Sequence, residues 1–313
     1  MCGIVAYIGP RDAAPILLDG LKRLEYRGYD SSGVAVLHNG SMELRRAVGK
    51  LERLAADVSK RPVAGNIGIG HTRWATHGRP SEQNAHPHVE GGVAVVHNGI
   101  IENYLSLKAE LEKDGAIFKS ETDTEILSHL IFREIRKGKK LEDAVRESVK
   151  LVKGTFAIAA ISEHEPDKIV GARMECPLIL GLGDGETILT SDIPAILDVT
   201  KKAIFLNDGE MVTLTKDGAN ITTFDGEPIK RPPTTIDWSP IMAEKDGYRH
   251  FMLKEIHEQP RAVADTFRGL LLEEAGDVFL NKFDVPLIER ERIYIIACGT
   301  SFYAGMVGKY YFE

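Results

Sequence analysis

Ten short aliphatic runs constrain the fold of this chain more than any other feature of the sequence. Glycine or polar residues bound these runs, which is typical of β-strands. Even the longest run falls well short of the roughly 18 consecutive apolar residues that a membrane-spanning helix needs. The predicted strands lie at 3–8, 33–38, 66–71, 92–98, 155–162, 168–173, 177–182, 187–190, 203–206 and 211–215.

Helical periodicity appears between these runs. Leu17, Leu21 and Leu24 are spaced four and three apart, which places them on one face of a helix. Thr122 and Glu125 have the spacing of a capping box at the start of another helix. The predicted helices lie within 11–28 and at 104–115, 122–138 and 141–154. Many strands with helices in pairs predict two packed β-sheets covered by helices, an α/β layered sandwich.

The composition changes after residue 224. The next segment, 225–248, contains four prolines and little periodicity, which is typical of a linker. Beyond it the pattern predicts helices at 249–259 and 260–276, and then a buried strand, a turn of small residues and a helix within 292–313. The expected organisation is a first domain over 1–224, a linker over 225–248 and a second domain over 249–313.

Charge and cysteine content limit the partners and the compartment. The formal net charge is −7, which argues against a surface that binds the nucleic-acid backbone. Cys2, Cys176 and Cys298 are odd in number and widely spaced, so they predict no disulfide framework and favour a reducing compartment. The start of the chain lacks the basic segment of a signal peptide. These features predict a cytoplasmic protein that binds neither nucleic acid nor membrane.

The second residue carries the most distinctive chemistry. If Met1 is removed, Cys2 has both a thiol and a free α-amine, and the amine titrates near ~7.7–8.0 against ~8.5 for the thiol. A neutral amine can then accept the thiol proton and leave a nucleophilic thiolate. The alternative is that Cys2 is a small buried apolar residue at the start of a strand.

Three polar segments offer partners for such a nucleophile. Arg73, in HTRWATHG, suits a bidentate pair with a carboxylate, or it is a solvated loop residue. Asn98 and Gly99 supply two oxyanion donors, an amide and a backbone N–H, or they form a plain Asn-Gly turn. Asp123 lies near a helix start, where an aspartate is often a simple cap.

Five histidines lie close together in the sequence without the spacing of a zinc site. We interpret most of them as hydrogen-bonded structural residues and predict no metal. They are His71, His77, His86, His88 and His97. Farther along, ACGTS at 297–301 precedes a predicted helix. Its small residues, its two hydroxyls and the helix N-terminus favour an anion such as phosphate, or the segment is simply a tight turn.

Six motifs in order carry a resemblance to one known family. The chain resembles the glutaminase half of the glutamine–fructose-6-phosphate aminotransferase (isomerizing) family over 1–224, and the resemblance continues through 248–260 to IIACGTS at 295–301. The motifs are MCGIVAYIG, RLEYRGYDSSG, HTRWATHG, NAHPH, HNGIIEN and SETDTE. The resemblance implies an α+β fold: a four-layer αββα sandwich of the N-terminal-nucleophile hydrolase type, then an incomplete α/β sugar-isomerase subdomain.

The resemblance also implies roles for individual residues. Cys2 matches the nucleophile, and Asn98 and Gly99 match the oxyanion hole. Arg73 and Asp123 match the residues that hold the α-carboxylate and the α-ammonium of glutamine. The residues that match the lining of the glutamine pocket are Trp74, Thr76, His77 and Gly99. Trp74 also matches a residue that gates an ammonia passage, and Arg27 matches a supporting arginine. The sugar-phosphate site is matched in part by Thr300 and Ser301.

The implied function is the hydrolysis of L-glutamine to glutamate and ammonia through a thioester on Cys2, without a cofactor. In the complete enzymes of this family, expected to be homodimers, the ammonia converts fructose 6-phosphate to glucosamine 6-phosphate. Because the family's chain continues far past residue 313, we expect this chain to keep only glutaminase activity. We also expect roughly 240–313 to pack poorly, because the strand IYIIA has lost its parallel partners. The alternatives are another class II amidotransferase and a non-catalytic module that senses glutamine.

Overall fold

The computed structural model describes residues 2–75, 77–236, 248, 251–268, 270–272, 277–278 and 292–313. The chain divides into two compact units, with the boundary between residues 269 and 270. None of the helices in this described part of the chain has the length and apolar character needed to cross a bilayer.

The first unit is built on two antiparallel sheets. Its strands are β1 (Gly3–Ile8), β2 (Ser31–His38), β3 (Ser41–Val48), β4 (Ile67–Arg73), β5 (His88–Glu90), β6 (Val93–Ile101), β7 (Gly154–Ser162), β8 (Glu165–Met174), β9 (Ile179–Leu182), β10 (Thr187–Thr190), β11 (Lys202–Phe205), β12 (Glu210–Thr215), β13 (Gly218–Thr223), β14 (Pro228–Ile229) and β15 (Thr234–Thr235). The first sheet has the order β15-β11-β9-β10-β1-β4-β2-β3, and the second has the order β14-β13-β12-β8-β7-β6-β5. The first strand of the chain therefore lies inside a sheet, between β10 and β4.

Helices cover the outer face of each sheet. They are α1 (Ala13–Leu24), α2 (Leu51–Lys60), α3 (Tyr104–Lys113), α4 (Glu125–Arg136) and α5 (Leu141–Leu151). The first two pack on the first sheet, and the other three pack on the second. Their apolar stripes bury against the strands, as the leucine spacing of α1 predicts. The result is the predicted four-layer αββα sandwich.

Both faces of the central strands are buried. Along β1, Ile4 and Ile8 point into the core between the sheets, whereas Val5 and Tyr7 point into the core beneath the helices. Alternate side chains of a strand point to opposite faces, so a strand covered on both faces needs apolar residues throughout. This explains why the strands read as continuous apolar runs in the sequence.

The ten predicted strands are confirmed, with ends that differ by no more than three residues. The prediction missed β3, whose residues are mostly half-buried and polar, and the short strands β5, β13, β14 and β15. It also missed α2. The capping box was wrong, because Thr124 is the N-cap of α4 and the Glu125 carboxylate accepts the N–H groups of Lys119 and Ser120 instead.

The region after residue 224 differs from its predicted secondary structure in two places. The predicted linker starts with β14 and β15, which pair with β13 and β11. One helix, α6 (Phe251–Phe267), replaces the two predicted helices, with Pro260 inside it. Proline removes one backbone hydrogen bond from a helix, and here that loss does not end the helix.

The second unit contains β16 (Leu271–Leu272), β17 (Asp277–Val278) and α7 (Thr300–Phe312). Residues 292–298 form no strand, so the predicted buried strand at IYIIA was wrong. Tyr294 and Ile296 are 78% and 95% exposed. An extended segment needs a neighbouring strand to satisfy its backbone groups, and none of the described residues pairs with this one.

Burial of histidines makes the stability of the first unit depend on pH. Burial lowers the pKa of His71 and His88 to about 3, and it also lowers the pKa of His86 and His97. In the unfolded chain these groups bind protons as the pH falls through about 6.5. The free energy of unfolding therefore has its full value above that pH. It declines as the pH falls toward 3, by up to about 1.4 kcal/mol per pH unit for each histidine.

We expect His86→Phe to make this decline less steep, because the variant has one buried imidazole fewer to protonate on unfolding. The free energy of unfolding, measured with a denaturant between about pH 7 and pH 5, checks this. His38→Phe is the control, because His38 is exposed. Equal slopes for His86→Phe and the wild type would contradict the prediction.

Candidate active site

The start of the chain is held firmly. Gly3 has no room for a side chain, because a Cβ there would lie 2.7 Å from Thr72 Oγ1 and 2.8 Å from Leu24 Cβ. The N–H of Ile4 donates to Ser191 Oγ at 2.9 Å, and Thr190 Oγ1 donates to the Ile4 carbonyl at 2.9 Å. These contacts fix Cys2 at the end of a central strand, where a chain terminus would otherwise fray.

Cys2 is bound on its backbone and on its sulfur. Its carbonyl accepts hydrogen bonds from Arg27 Nε at 3.2 Å and from Asn98 Nδ2 at 3.1 Å. Its Sγ accepts the N–H of Trp74 at 3.3 Å. Burial raises the pKa of the Cys2 thiol, and the Trp74 N–H only partly opposes that rise. The group is therefore a thiol at neutral pH, and it needs a base to become a nucleophile.

An ion pair supports Arg27 behind the nucleophile. The guanidinium of Arg27 is 8% exposed and donates to Asp192 Oδ2. The Tyr26 hydroxyl donates to the same oxygen at 2.6 Å, and the N–H of Ile193 donates to Asp192 Oδ1 at 2.8 Å. Asp192 escaped the sequence analysis, because no local pattern links it to a partner so far away in the chain.

Asn98 and Gly99 lie within β6, so the interpretation as a hairpin turn was wrong. Asn98 is 6% exposed, and its Oδ1 lies 3.0 Å from His71 Nε2. Gly99 has a φ of +131°, and a Cβ there would lie 2.0 Å from the Thr155 carbonyl oxygen. The backbone conformation at this point of the strand is therefore open only to glycine.

Arg73 is buried at the end of β4, so the interpretation as a solvated loop residue was wrong. Only 3% of it is exposed, and its Nη2 donates to the carbonyls of His77 and, at 3.1 Å, of Gly78. Its Nη1 is buried and has no hydrogen-bond partner among the described residues. A buried donor without a partner is costly, so this atom is a natural contact for an anionic ligand.

Asp123 carries the charge opposite to that of Arg73 and is also buried, with only 4% of its surface exposed. Its Oδ2 accepts the N–H of Ile101 at 2.8 Å, so it does not act as a cap of α4. Burial lowers the pKa of Arg73, and the charges of Asp30 and Asp123 oppose that shift. The site thus holds a buried cation and a buried anion whose charges interact.

Asp30 is a site residue that the sequence analysis missed. It accepts the N–H of Ala75 and, at 2.8 Å, the hydroxyl of Ser31, so it shapes the loop after Arg73. Its charge raises the pKa of Cys2 in addition to the larger effect of burial. Its position inside the motif RLEYRGYDSSG was the available signal, but nothing in that motif identifies its partners.

The remaining predicted site residues have different surroundings. Trp74 is 47% exposed and meets the ring of Tyr29 edge-on, with centroids 5.4 Å apart. His77 meets the ring of Tyr104 edge-on at 5.5 Å. Thr76 lies outside the described residues. Thr300 and Ser301 are exposed at the start of α7 in the second unit.

Four of the five clustered histidines are buried, and three of these, His71, His88 and His97, have hydrogen-bond partners. His88 Nε2 lies 3.0 Å from Thr122 Oγ1, and His97 Nδ1 lies 2.9 Å from Thr124 Oγ1. The ring of His86 contacts those of His71 and His88, tilted against the first and edge-on to the second, with centroid distances of 4.2 and 4.8 Å. Within the described ranges, no three His, Cys, Asp or Glu side chains come close enough together to hold a metal ion.

Together these groups suit a small zwitterion with a carbonyl group. Arg73 and Asp123 offer opposite charges for a carboxylate and an ammonium. Asn98 Nδ2 faces the backbone of Cys2 and is available to a developing oxyanion. The thiol is the only one of these groups that can form a covalent bond with an acyl carbon.

Comparisons with known proteins identify the family. A model of the glutamine amidotransferase domain matches residues 35–221. A glutamine–fructose-6-phosphate aminotransferase (isomerizing) from Aquifex aeolicus is 52% identical over all of this chain and 52% of that protein. One from Symbiobacterium thermophilum is 50% identical, again over all of this chain and 52% of that protein. This chain therefore spans about half the length of these curated relatives.

A solved structure shares the fold. Glutamine phosphoribosylpyrophosphate amidotransferase from B. subtilis, complexed with ADP and GMP, has a TM-score of 0.62 at 27% identity. The match covers 71% of this chain and 49% of that one. This likeness confirms the predicted fold, the N-terminal-nucleophile hydrolase sandwich of the class II amidotransferases.

We expect Gly99→Ala to disrupt the site, because the new Cβ would collide with the backbone of Thr155. Gly185→Ala is a matched control, since Gly185 also has a positive φ, of +70°, but nothing lies within 4 Å of its Cβ position. The control should lose about 1 kcal/mol of unfolding free energy from backbone strain alone. Gly99→Ala should lose clearly more in denaturant titrations, and equal losses would contradict the assigned backbone geometry.

Proposed function

This chain belongs to the glutamine amidotransferase domain family, and we propose that it hydrolyses L-glutamine to glutamate and ammonia through a thioester on Cys2. The observation that carries the proposal is the position of the Cys2 thiol. It is fixed by the Trp74 N–H, directly after the buried Arg73 whose Nη1 has no partner among the described residues. The nucleophile therefore lies within reach of the charge of a buried guanidinium that has a donor left for an anion.

Two opposite charges would hold the amino-acid end of glutamine. Arg73 Nη1 would donate to the α-carboxylate, and the carboxylate of Asp123 would accept from the α-ammonium. Trp74, Thr76, His77 and Gly99 would line the rest of the pocket. Fixing both charged groups directs the side-chain amide toward Cys2 and lowers the entropic part of the barrier.

The first chemical step would form a bond between Cys2 Sγ and the amide carbon. Once Met1 has been removed, the free α-amine of Cys2 accepts the thiol proton, which the raised pKa of the thiol makes necessary. The carbonyl π electrons move to the amide oxygen as the bond forms. Asn98 Nδ2 and the N–H of Gly99 would stabilise that oxyanion, and Arg27 would hold the Cys2 backbone in place.

The second step would break the carbon–nitrogen bond. The protonated α-amine gives its proton to the departing nitrogen, which leaves as ammonia, and a γ-glutamyl thioester remains on Cys2. Water then attacks the thioester carbon while the α-amine accepts a proton from it. The thiolate departs and is reprotonated, so that glutamate is released and the enzyme is restored.

For a longer protein that contains this chain and has the length of its relatives, we propose the reaction for which those relatives are named. The two relatives described above are about half identical over this whole chain, whereas the phosphoribosylpyrophosphate enzyme is 27% identical over part of it. This favours fructose 6-phosphate as the acceptor of ammonia and glucosamine 6-phosphate as the product. We assign residues 1–224 to the glutaminase domain, 225–248 to a linker that begins with β14 and β15 paired to the sheets of that domain, and 249–313 to the start of a sugar-isomerase domain.

The setting of the longer protein is part of the same proposal. Thr300 and Ser301 would contribute to its sugar-phosphate site, and it would act as a homodimer in the cytoplasm. The net charge of −7 supports a protein without a nucleic-acid partner, and the free thiols of Cys2, Cys176 and Cys298 support a reducing compartment. The part of this function that we assign to residues 1–224 is the release of glutamate and ammonia.

The nucleophile is tested by substitution and by extension. Cys2→Ala should abolish ammonia release while glutamine still binds in calorimetry, because the charged contacts remain. One uncleaved residue added before Cys2 should have the same effect, since it converts the α-amine into an amide that cannot accept a proton. Mass spectrometry after treatment with a diazoketone analogue of glutamine should find the label on Cys2 and Met1 absent.

Cys176→Ala is the control, since that thiol is only 8% exposed and lies in the core between the sheets. It should keep its activity. Undiminished ammonia release by Cys2→Ala, or by the extended protein, would refute the proposed mechanism. Glutamine binding without hydrolysis by the processed wild type would instead identify a sensor.

The anion contact is tested at Arg73. Arg73→Gln should raise the KM for glutamine by roughly 10- to 100-fold, because a charge-assisted hydrogen bond contributes about 1.5–3 kcal/mol. Arg79→Gln, at an exposed position in the same loop, should leave the KM unchanged. Steady-state kinetics of ammonia release measure both, and an unaltered KM for Arg73→Gln would remove this residue from glutamine binding.

A further inference from the structure

We propose that His71 is a positioning residue, which fixes the side-chain amide of Asn98 with its NH2 group directed at the reacting carbonyl. The inference rests on the proposed glutaminase function and adds a residue to its machinery. His71 contacts neither glutamine nor the thiol in this proposal. It acts through one hydrogen bond, in which His71 Nε2 and Asn98 Oδ1 are 3.0 Å apart.

The partners determine which way the amide of Asn98 points. The atom that faces the Cys2 carbonyl at 3.1 Å must be the NH2 group, because a carbonyl oxygen only accepts hydrogen bonds. The amide oxygen therefore faces His71. Nε2 of His71 also lies 3.0 Å from the carbonyl oxygen of His97. Both neighbours of Nε2 are acceptors, so this nitrogen carries the proton.

The surroundings of His71 stabilise this one tautomer. The residue is fully buried, and burial lowers its pKa to about 3, so it is neutral at physiological pH. Its Nδ1 is buried without a hydrogen-bond partner among the described residues. A proton on Nδ1 would be an unsatisfied buried donor, and it would leave the bare Nε2 facing two oxygens. Either effect disfavours the other tautomer.

The orientation of Asn98 matters because its two ends have opposite electrostatic character. With the NH2 group toward Cys2, the amide stabilises a developing oxyanion. After a flip, its oxygen would face that oxyanion and repel it. A solvated asparagine samples both orientations, whereas the N–H of His71 accommodates only the productive one. His71 thereby prepares the oxyanion site before glutamine arrives.

The backbone makes His71 a rigid support. It lies in β4 and pairs with Ile4 of β1, and Ile4 follows Cys2 by two residues. Asn98 belongs to β6 in the other sheet. The hydrogen bond therefore joins two sheets whose separation is fixed by their packed core. If either side chain is replaced by a shorter one, the backbone of the other cannot move closer to restore the bond.

The first test is a double-mutant cycle measured by ammonia release. His71→Phe removes the donor but keeps a ring, and it should lower kcat by about 10- to 100-fold, somewhat less than the ~10²–10³ typical for loss of an oxyanion donor. The KM should change little, because Arg73 and Asp123 are unaffected. The double variant with Asn98→Ala should be no slower than Asn98→Ala alone, since His71 acts only through Asn98.

A conservative variant and an inhibitor separate positioning from general damage. His71→Gln carries an NH2 group at nearly the same reach and should recover most of kcat. An aldehyde analogue of glutamine forms a tetrahedral adduct with the thiol, and its inhibition should weaken in His71→Phe by the same factor as kcat. Inhibition by glutamate, which forms no adduct, should stay the same.

Several outcomes would overturn the inference. These are unchanged kcat in His71→Phe, additive losses in the double variant, or equal weakening of the aldehyde and of glutamate. If His71→Phe does not fold, nitrogen NMR of His71 in Cys2→Ala decides, with a proton on Nε2 expected and a proton on Nδ1 contradicting the inference. That spectrum needs no turnover, so it stands even if the wild type releases no ammonia and the proposed function fails.

Discussion

A buried polar bridge between the two sheets is the interaction on which the site depends. Asn98, in the second sheet, donates to the carbonyl of Cys2, which directly precedes β1 of the first sheet, and accepts from His71 of β4 in the same sheet. The core between the sheets is filled mainly by apolar side chains, which set the distance between the sheets but allow many lateral positions. Hydrogen bonds between buried groups allow far fewer, because each unmade bond has a large cost. The bridge thus fixes the relative position of the nucleophile and the oxyanion donor.

The same burial creates the chemical problem that the N-terminal amine would solve. Placing β1 inside a sheet holds Cys2 rigidly, but it also withdraws the sulfur from water and raises the pKa of the thiol. The positive charge of Arg73 lowers this pKa and the negative charge of Asp30 raises it, both by less than burial does. A rigid thiol in such a place is a poor nucleophile without a base, and the nitrogen of the same residue is already positioned with it. Position and activation are therefore linked in one residue.

The fold was more predictable from the sequence than the site was. Strands covered on both faces, such as β1 and β7, appear as nearly continuous apolar runs, and they were predicted correctly. The half-buried β3 has no such run and was missed. The site depends on pairs that are distant in sequence, such as Arg27 with Asp192 and His71 with Asn98, which no local spacing reveals. The resemblance named Arg73 and Asp123, but only the structure shows that both are buried.

The electrostatics of the pocket also bear on how substrate and product would differ. Arg73 has a buried nitrogen without a partner among the described residues, and its positive charge is offset by Asp30 and Asp123. A zwitterion such as glutamine adds no net charge. It would accept a hydrogen bond from Arg73 Nη1 without changing the balance between the charge of Arg73 and those of Asp30 and Asp123. In the proposed pose, glutamate would carry one more negative charge at the end near Cys2. Burial is the largest cause of the raised pKa of the Cys2 thiol, so a negative charge is costly there, while the charges of Arg73 and Asp30 act in opposite directions. The pocket would therefore accommodate the neutral amide better than the acid that hydrolysis produces.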